Sequence, residues 1–282
     1  MISSFDDTRK QNFGKMEGMQ DRYVGDVGDF AKYALLRALA GVPSPTPIRL
    51  AVVWCWFPDE SHNNDGRHVS YLHSPEFAKL DSDLHTVLSD IIKSGRRSVS
   101  AIASSGILPR GTIFYDAPVT LPNSIALTPK DRARYRCVWL NVCLESTVDC
   151  NVVFFDPDNG LEVASAPKHH PKAGKYIYWN ELAQFWQRGS ALLIYHHSNR
   201  TISAAKQVET LTLRFAEEFK DASIIPIVFR RGSCRVFWLV HNGGTLGREL
   251  ESRAADLLDG GWSQHFRPFG WPSNYQASTR AP

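Results

Sequence analysis

Two hydrophobic patterns alternate along this chain. Short runs that are apolar at nearly every position are separated by longer stretches in which apolar residues recur every three or four positions. The short runs read as buried strands and the long ones as amphipathic helices. The first helix is expected to begin between Asp26 and Asp29 and to run through Leu39, with Asp29 as cap and Gly41 then Pro43 as stop. Ile48 to Phe57, β-branched and aromatic, predicts a central strand. Ser74 and Pro75 open a second helix, whose stripe is Phe77, Leu80, Leu84, Leu88 and Ile91, and Gly95 ends it.

Residues 96–127 carry little pattern beyond a short strand at Thr112 to Tyr115. Thr128-Pro129 then opens a helix that passes Trp139 on its way to Leu144, and Val152 to Phe155 forms the next buried strand. A helix at Asn180 to Arg188, a strand at Ala191 to Tyr195 and a helix over residues 203–220 follow. Ile224 to Phe229 and Cys234 to Val240 are two late strands joined by a tight turn at Gly232, so they should pair antiparallel. Residues 245–258 make the last helix. Residues 1–20 and the Pro- and Ser-rich residues 268–282 are expected to be poorly ordered, which leaves residues 21–267 as one domain. The alternation predicts an α/β protein with a mostly parallel sheet and helices on both faces, whose ligands bind at the carboxyl ends of the strands.

Composition changes this picture little. The chain is 43% hydrophobic and 22% charged, as in ordinary globular proteins. Its net charge of +3 permits an acidic partner such as nucleic acid without requiring one. Cys55, Cys137, Cys143, Cys150 and Cys234 form no Cys-x-x-Cys pair, and four of the five fall in apolar runs. They are expected to be reduced core thiols, with no disulfide frame and no zinc site. No segment is long and apolar enough to span a bilayer, and the amino terminus has no apolar signal core, so a cytoplasmic location is expected.

Candidate chemistry collects at three strand ends. The strand at Phe154-Phe155 runs into Asp156-Pro157-Asp158-Asn159-Gly160-Leu161-Glu162, where Pro157 limits the backbone and holds Asp156 at the strand end. The alternative is an ordinary turn, since Asp, Pro, Asn and Gly all favour turns. A second polar loop, residues 58–68, contains Asp59, Glu60, His62, Asp65 and His68. A third strand ends in Tyr195-His196-His197-Ser198-Asn199-Arg200. The histidines have no zinc-like spacing, but Asp59, Glu60, Asp65, Asp156 and Asp158 could bind Mg²⁺ through oxygen. Gly25 to Tyr33 places two glycines and two aspartates before a helix, where backbone N–H groups can meet a ligand; an ordinary capped helix start is the plainer account.

Together these segments resemble the bacterial methyltransferases that use S-adenosylmethionine to methylate an adenine amino group of large-subunit ribosomal RNA. Gly25-Asp26-Val27-Gly28-Asp29-Phe30-Ala31-Lys32-Tyr33 is similar to that family's Gly-Asn-x-Ala-Asp-x-x-Lys-His, with Lys32 matched and Tyr33 in the place of His. His62 stands where the family has Asp-Thr-His-Ala-Gly-x-Gly. Asp156-Pro157-Asp158-Asn159 stands where it has Asp-Pro-Pro-Tyr/Phe, without the second Pro or the ring. The likeness continues through Ile194-Tyr195-His196 and Gly232-Ser233-Cys234-Arg235-Val236.

The resemblance implies a Rossmann-like, methyltransferase-type sheet with an antiparallel strand near the carboxyl terminus. It implies a cofactor pocket at Gly25, Asp26, Lys32, Tyr33, Asp59, His62 and Asp65. Asp156, Pro157, Asp158 and Asn159 would be catalytic, and Tyr195, His196, His197 and Arg200 would meet the substrate, a base amino group of RNA or DNA. Arg96, Arg97, Arg132, Arg134, Arg136, Arg230 and Arg231 could contact phosphates, although for each taken alone solvated helix or turn surface is the favoured account. The competing expectation is a Mg²⁺-dependent nuclease or phosphoesterase on the same fold, with His196 or His197 as acid or base. A third is a relic of the fold that only binds a nucleotide or a partner. The sequence does not set the oligomeric state.

Overall fold

The computed structural model describes residues 21–42, 48–57, 66–120, 126–199, 201–231 and 233–269. The expectations for residues 1–20 and for most of the tail lie outside them. Among the described residues a seven-stranded sheet has the order β2-β1-β3-β6-β8-β7-β9. Its strands are β1 (Leu50–Val53), β2 (Ile113–Tyr115), β3 (Val152–Phe155), β6 (Ala191–His197), β7 (Ser223–Arg231), β8 (Ser233–His241) and β9 (Phe266–Pro268). The first four neighbours pair in parallel, β8 is antiparallel to both β6 and β7, and β9 reverses again. Five strands therefore point one way and two the other. The predicted α/β class holds, as does the antiparallel hairpin around position 232. Two short strands, β4 (Gly160–Leu161) and β5 (Tyr176–Ile177), form a small separate sheet that no pattern in the sequence announced.

The two faces of the sheet make two cores, because successive residues of a strand point to opposite sides. Leu50, Val52, Val152, Phe154 and Leu193 pack on one side beneath α1 (Val27–Ala40), α3 (Ser82–Lys93) and α8 (Gly244–Asp259). Ala51, Val53, Val153, Phe155, Leu192 and Ile194 pack on the other beneath α5 (Pro129–Ser146), α6 (Trp179–Gln187) and α7 (Ala204–Glu218). Burial on both faces explains why β1 and β3 read as unbroken apolar runs.

Several boundaries move for identifiable reasons. The cap of α1 is Asp26, whose side chain accepts from the Asp29 N–H at 2.8 Å; Asp29 accepts instead from the Gly25 N–H at 3.1 Å. Gly41 ends that helix in the left-handed conformation, as expected. The helix predicted from Ser74 to Gly95 is two, α2 (Pro75–Ala78) and α3. Asp81 interrupts it by capping Leu84 and pairing with Arg37 at 2.7 Å. A further helix, α4 (Val99–Ser104), lies where the sequence was hard to read. The strand expected over Ile48 to Phe57 is hydrogen-bonded as β1 only over Leu50–Val53. Cys55, just beyond it, sits at φ 40, a left-handed conformation that costs a residue with a side chain on the order of 1 kcal/mol or more. Cys55, Cys143 and Cys150 are buried as expected, whereas Cys137 is exposed on α5.

Candidate functional site

In this sheet β1 connects outward to β2 on one side, and β3 lies on its other side. The carboxyl ends of β1 and β3 therefore flank a topological switch point, the place where open α/β sheets hold ligands. A cavity of about 280 Å³ opens there. It is walled by the start of α1, by Trp54 beyond β1, by Asp156 to Asp158 beyond β3, and by residues of β6 and β8.

Lys32 is the centre of its charge network. One helical turn places its side chain over Asp29, and the helix start delivers both to the end of β3. The Lys32 Nζ lies 2.6 Å from Asp29 Oδ1 and 2.7 Å from Asp156 Oδ2. All three side chains are buried. Burial opposes the Lys32 charge, but the Asp156 and Asp29 carboxylates outweigh it and hold the ammonium well above its ordinary range. Burial pushes the Asp156 carboxyl up, and Lys32 pulls the other way.

A second ion pair stands beside the first. The Arg235 Nη2 of β8 lies 3.6 Å from Asp26 Oδ2. Burial, then the Asp29 charge, raises the Asp26 carboxyl, and Arg235 opposes them. Gly28 makes room for this arginine: a Cβ there would stand 2.6 Å from the Arg235 Nε. At the outer end Asp158 pairs with Lys175 at 3.2 Å, and Lys175 covers the Phe57 ring.

The structure thus brings Asp26, Lys32, Tyr33, Asp156, Pro157, Asp158, Tyr195 and His197 to one cavity. It separates others from it. Alternation along β6 sends Tyr195 and His197 to the cavity but turns His196 to the opposite face, against Trp238. There His196 Nδ1 accepts the Leu161 N–H at 3.1 Å, and burial lowers its pKa to about 4. Asn159 serves the small sheet, its amide donating to the Tyr176 hydroxyl at 3.0 Å. Gly25 acts through its backbone, donating to Asp29 and accepting from the Tyr71 hydroxyl at 3.1 Å. Asp59, Glu60, His62, Asp65 and Arg200 lie outside the described residues. Among the described residues no group of three potential ligands is placed to hold a metal ion.

Four expected phosphate contacts are otherwise engaged: Arg132 donates to the carbonyls of His169 and Leu127, Arg231 donates to His265 Nδ1 at 2.9 Å, and Arg136 and Arg97 are held as follows. Arg136 is buried and grips Glu181 with two nitrogens, at 2.6 and 2.8 Å, while donating to the carbonyls of Ala173 and Tyr176. That bracket ties α5 to α6 and to β5. Arg97 donates to the carbonyls of Val24 and Gly66 and so braces the cavity rim.

Asp29, Trp54 and Arg235 line the cavity without having been singled out as site residues in the sequence, and His68 of the second polar loop lines it as well. Asp29 stood in the quoted helix-start motif, one turn before Lys32. Arg235 gave no local signal, because it arrives on an antiparallel strand far along the chain. Comparison with protein-family models, with curated proteins and with solved structures finds no match to this chain.

Proposed function

We propose that this protein is a methyltransferase that uses S-adenosylmethionine to modify an amino group of a nucleic-acid base. The observation that carries the reading is the position of the Lys32–Asp156 pair, inside the cavity at the switch point between β1 and β3. Asp26, Asp29, Asp156 and Asp158 outnumber Lys32 and Arg235 on its walls. That balance suits a ligand carrying sulfonium and ammonium charges, and Arg235 suits its carboxylate.

When bound, S-adenosylmethionine supplies an electrophilic methyl group: the N–CH₃ bond forms as the S–CH₃ bond breaks, and the amine gives up one proton. Asp156 would accept an N–H of the target amine and turn its lone pair toward the methyl group. Lys32 favours the ionised form of Asp156 that this role needs, against the effect of burial. Tyr195 offers a ring to the base, and His197 at the rim offers a nitrogen for the released proton.

The Mg²⁺-dependent hydrolase reading stands second. It requires Lys32 and Lys175 to release the carboxylates of Asp156 and Asp158. The unpaired thiols also favour a reducing compartment, and we place the protein in the cytoplasm on that ground. No helix among the described residues is long and apolar enough to cross a membrane.

Calorimetry with S-adenosylmethionine, and separately with Mg²⁺, tests the assignment. Micromolar binding of the cofactor, together with methyl transfer to RNA or DNA that Asp156→Asn abolishes, is expected. Absence of cofactor binding below millimolar concentration sinks it, and so does full transfer by Asp156→Ala.

A further inference from the structure

Outside the cavity, basic side chains gather where the amino terminus of α5 meets the segment that leads into β5. Lys130, Arg132 and Arg134 come from the first two turns of α5, and Lys168 and Lys172 from the facing segment. Asp131 is the carboxylate among them, and it is occupied in accepting the Thr128 hydroxyl at 2.6 Å. Five basic side chains stand here against two carboxylates, Asp131 and the buried Glu181.

The two halves of this ridge are joined. Arg132 Nε donates to the His169 carbonyl at 2.6 Å, and Arg132, Lys168 and His170 line one small cleft. Behind it the Arg136–Glu181 bracket fixes Ala173 and Tyr176. Lys168 also reaches back to Glu181 at 3.3 Å. Lys130, Arg134 and Lys172 are exposed, and no carboxylate among the described residues pairs with them.

The ridge lies at the same edge of the sheet as the cavity. A crossover helix that precedes a parallel strand starts at the strands' carboxyl edge, so α5 places its basic first turns at that edge. The Asp158–Lys175 pair then joins the cavity wall to the basic segment directly. The amino end of α5 adds the positive end of its dipole.

We infer that Lys130, Arg134 and Lys172, flanked by the engaged Arg132 and Lys168, form a docking surface for the phosphate backbone of a nucleic acid whose target base enters the cavity. This rests on the reading of the cavity as a site of base modification. An enzyme that draws a base into a closed site needs backbone contacts beside that site to hold the flanking nucleotides. Cations at the same edge of the sheet as an acidic cavity do this: they draw phosphates toward that edge and leave the interior to the base and the cofactor.

The test compares two triple variants of the full chain with equal net charge. One is Lys130→Gln/Arg134→Gln/Lys172→Gln on the ridge. The other is Lys93→Gln/Lys220→Gln/Arg248→Gln, exposed positions on other elements. Binding of a mixed-sequence single-stranded oligonucleotide, as RNA and as DNA, is followed by fluorescence anisotropy over a salt series. The ridge variant should bind at least about tenfold more weakly at low salt, and its slope of log K against log salt should flatten by about 2 to 3. The control variant should change little, and both should keep the wild-type response to S-adenosylmethionine in calorimetry. Equal weakening in the two variants overturns the inference. So does the absence of oligonucleotide binding by the wild type, or a ridge variant that loses only its binding to phosphatidylserine vesicles. If ridge-dependent oligonucleotide binding persists while S-adenosylmethionine does not bind, the cavity assignment fails and the docking surface stands.

Discussion

The Lys32 Nζ and the Asp156 Oδ2 meet at 2.7 Å across 124 positions of sequence, deep in the wall of the cavity. The contact joins the first helix to the end of the central strand β3. It also leaves two carboxylates, Asp29 and Asp156, sharing one buried ammonium. Removing the ammonium strands both acids in a poorly hydrated place.

Lys32→Met should therefore lower stability by about 3–5 kcal/mol, the usual cost of leaving a buried charge without its partner. Asp156→Asn should cost less, because Asp29 still neutralises Lys32. The double variant should be less destabilised than the sum of the two. Urea denaturation of the four proteins measures this, and additive losses below about 1 kcal/mol each would show that the pair is not coupled.

Gly28→Ala tests the place of Arg235 in the site. In the first turn of α1, alanine favours the helix by up to about 1 kcal/mol over glycine. The new Cβ, however, would stand 2.6 Å from the Arg235 Nε and must push the guanidinium out of place. The melting temperature should fall as the buried Asp26 loses its partner, and affinity for S-adenosylmethionine should fall at least about tenfold, or about 1.4 kcal/mol. Unchanged affinity in calorimetry would remove Arg235 from the binding site.

Gly160→Ala should act the other way, on folding before binding. Gly160 has φ +112, which side chains disfavour, and a Cβ there would stand 2.2 Å from the His196 Nδ1 and 2.8 Å from its Cα. Backbone cannot move aside as a flexible side chain can. A loss of at least about 2 kcal/mol is expected by chemical denaturation.

His196 predicts a pH dependence. Its pKa is lowered to about 4 by burial, against about 6.5 in an unfolded chain. Between these values the unfolded state binds the extra proton. Stability is therefore full above about pH 7, falls as the pH drops through 6.5, and has lost about 3 kcal/mol from this group near pH 4. His196→Asn keeps an acceptor for the Leu161 N–H and removes the titration. Denaturant midpoints taken from pH 4 to 7 should show a flatter profile in the variant, and parallel profiles would assign the acid sensitivity to other groups.

What the sequence determined by itself was most of the main elements and their burial, but not the break at Asp81, α4 or the small sheet of β4 and β5. Apolar runs such as Val152 to Phe155, short and made of β-branched and aromatic residues, favour strands covered on both faces, and the Pro129 and Gly41 signals mark helix ends through local backbone chemistry. The sheet class and the late hairpin follow from the same short-range rules. Tertiary structure alone decided which polar residues meet. Asp29 became a partner of Lys32 because Asp26 took the cap; His196 left the site because strand alternation turned it away from Tyr195 and His197. Arg235 entered on β8 through a pairing with β6 that no local pattern encodes. Asp156 was legible as a rigid carboxylate at a strand end, but its buried counter-charge was not. The energy of an ion pair depends on distance and desolvation in space, and separation along the chain carries neither.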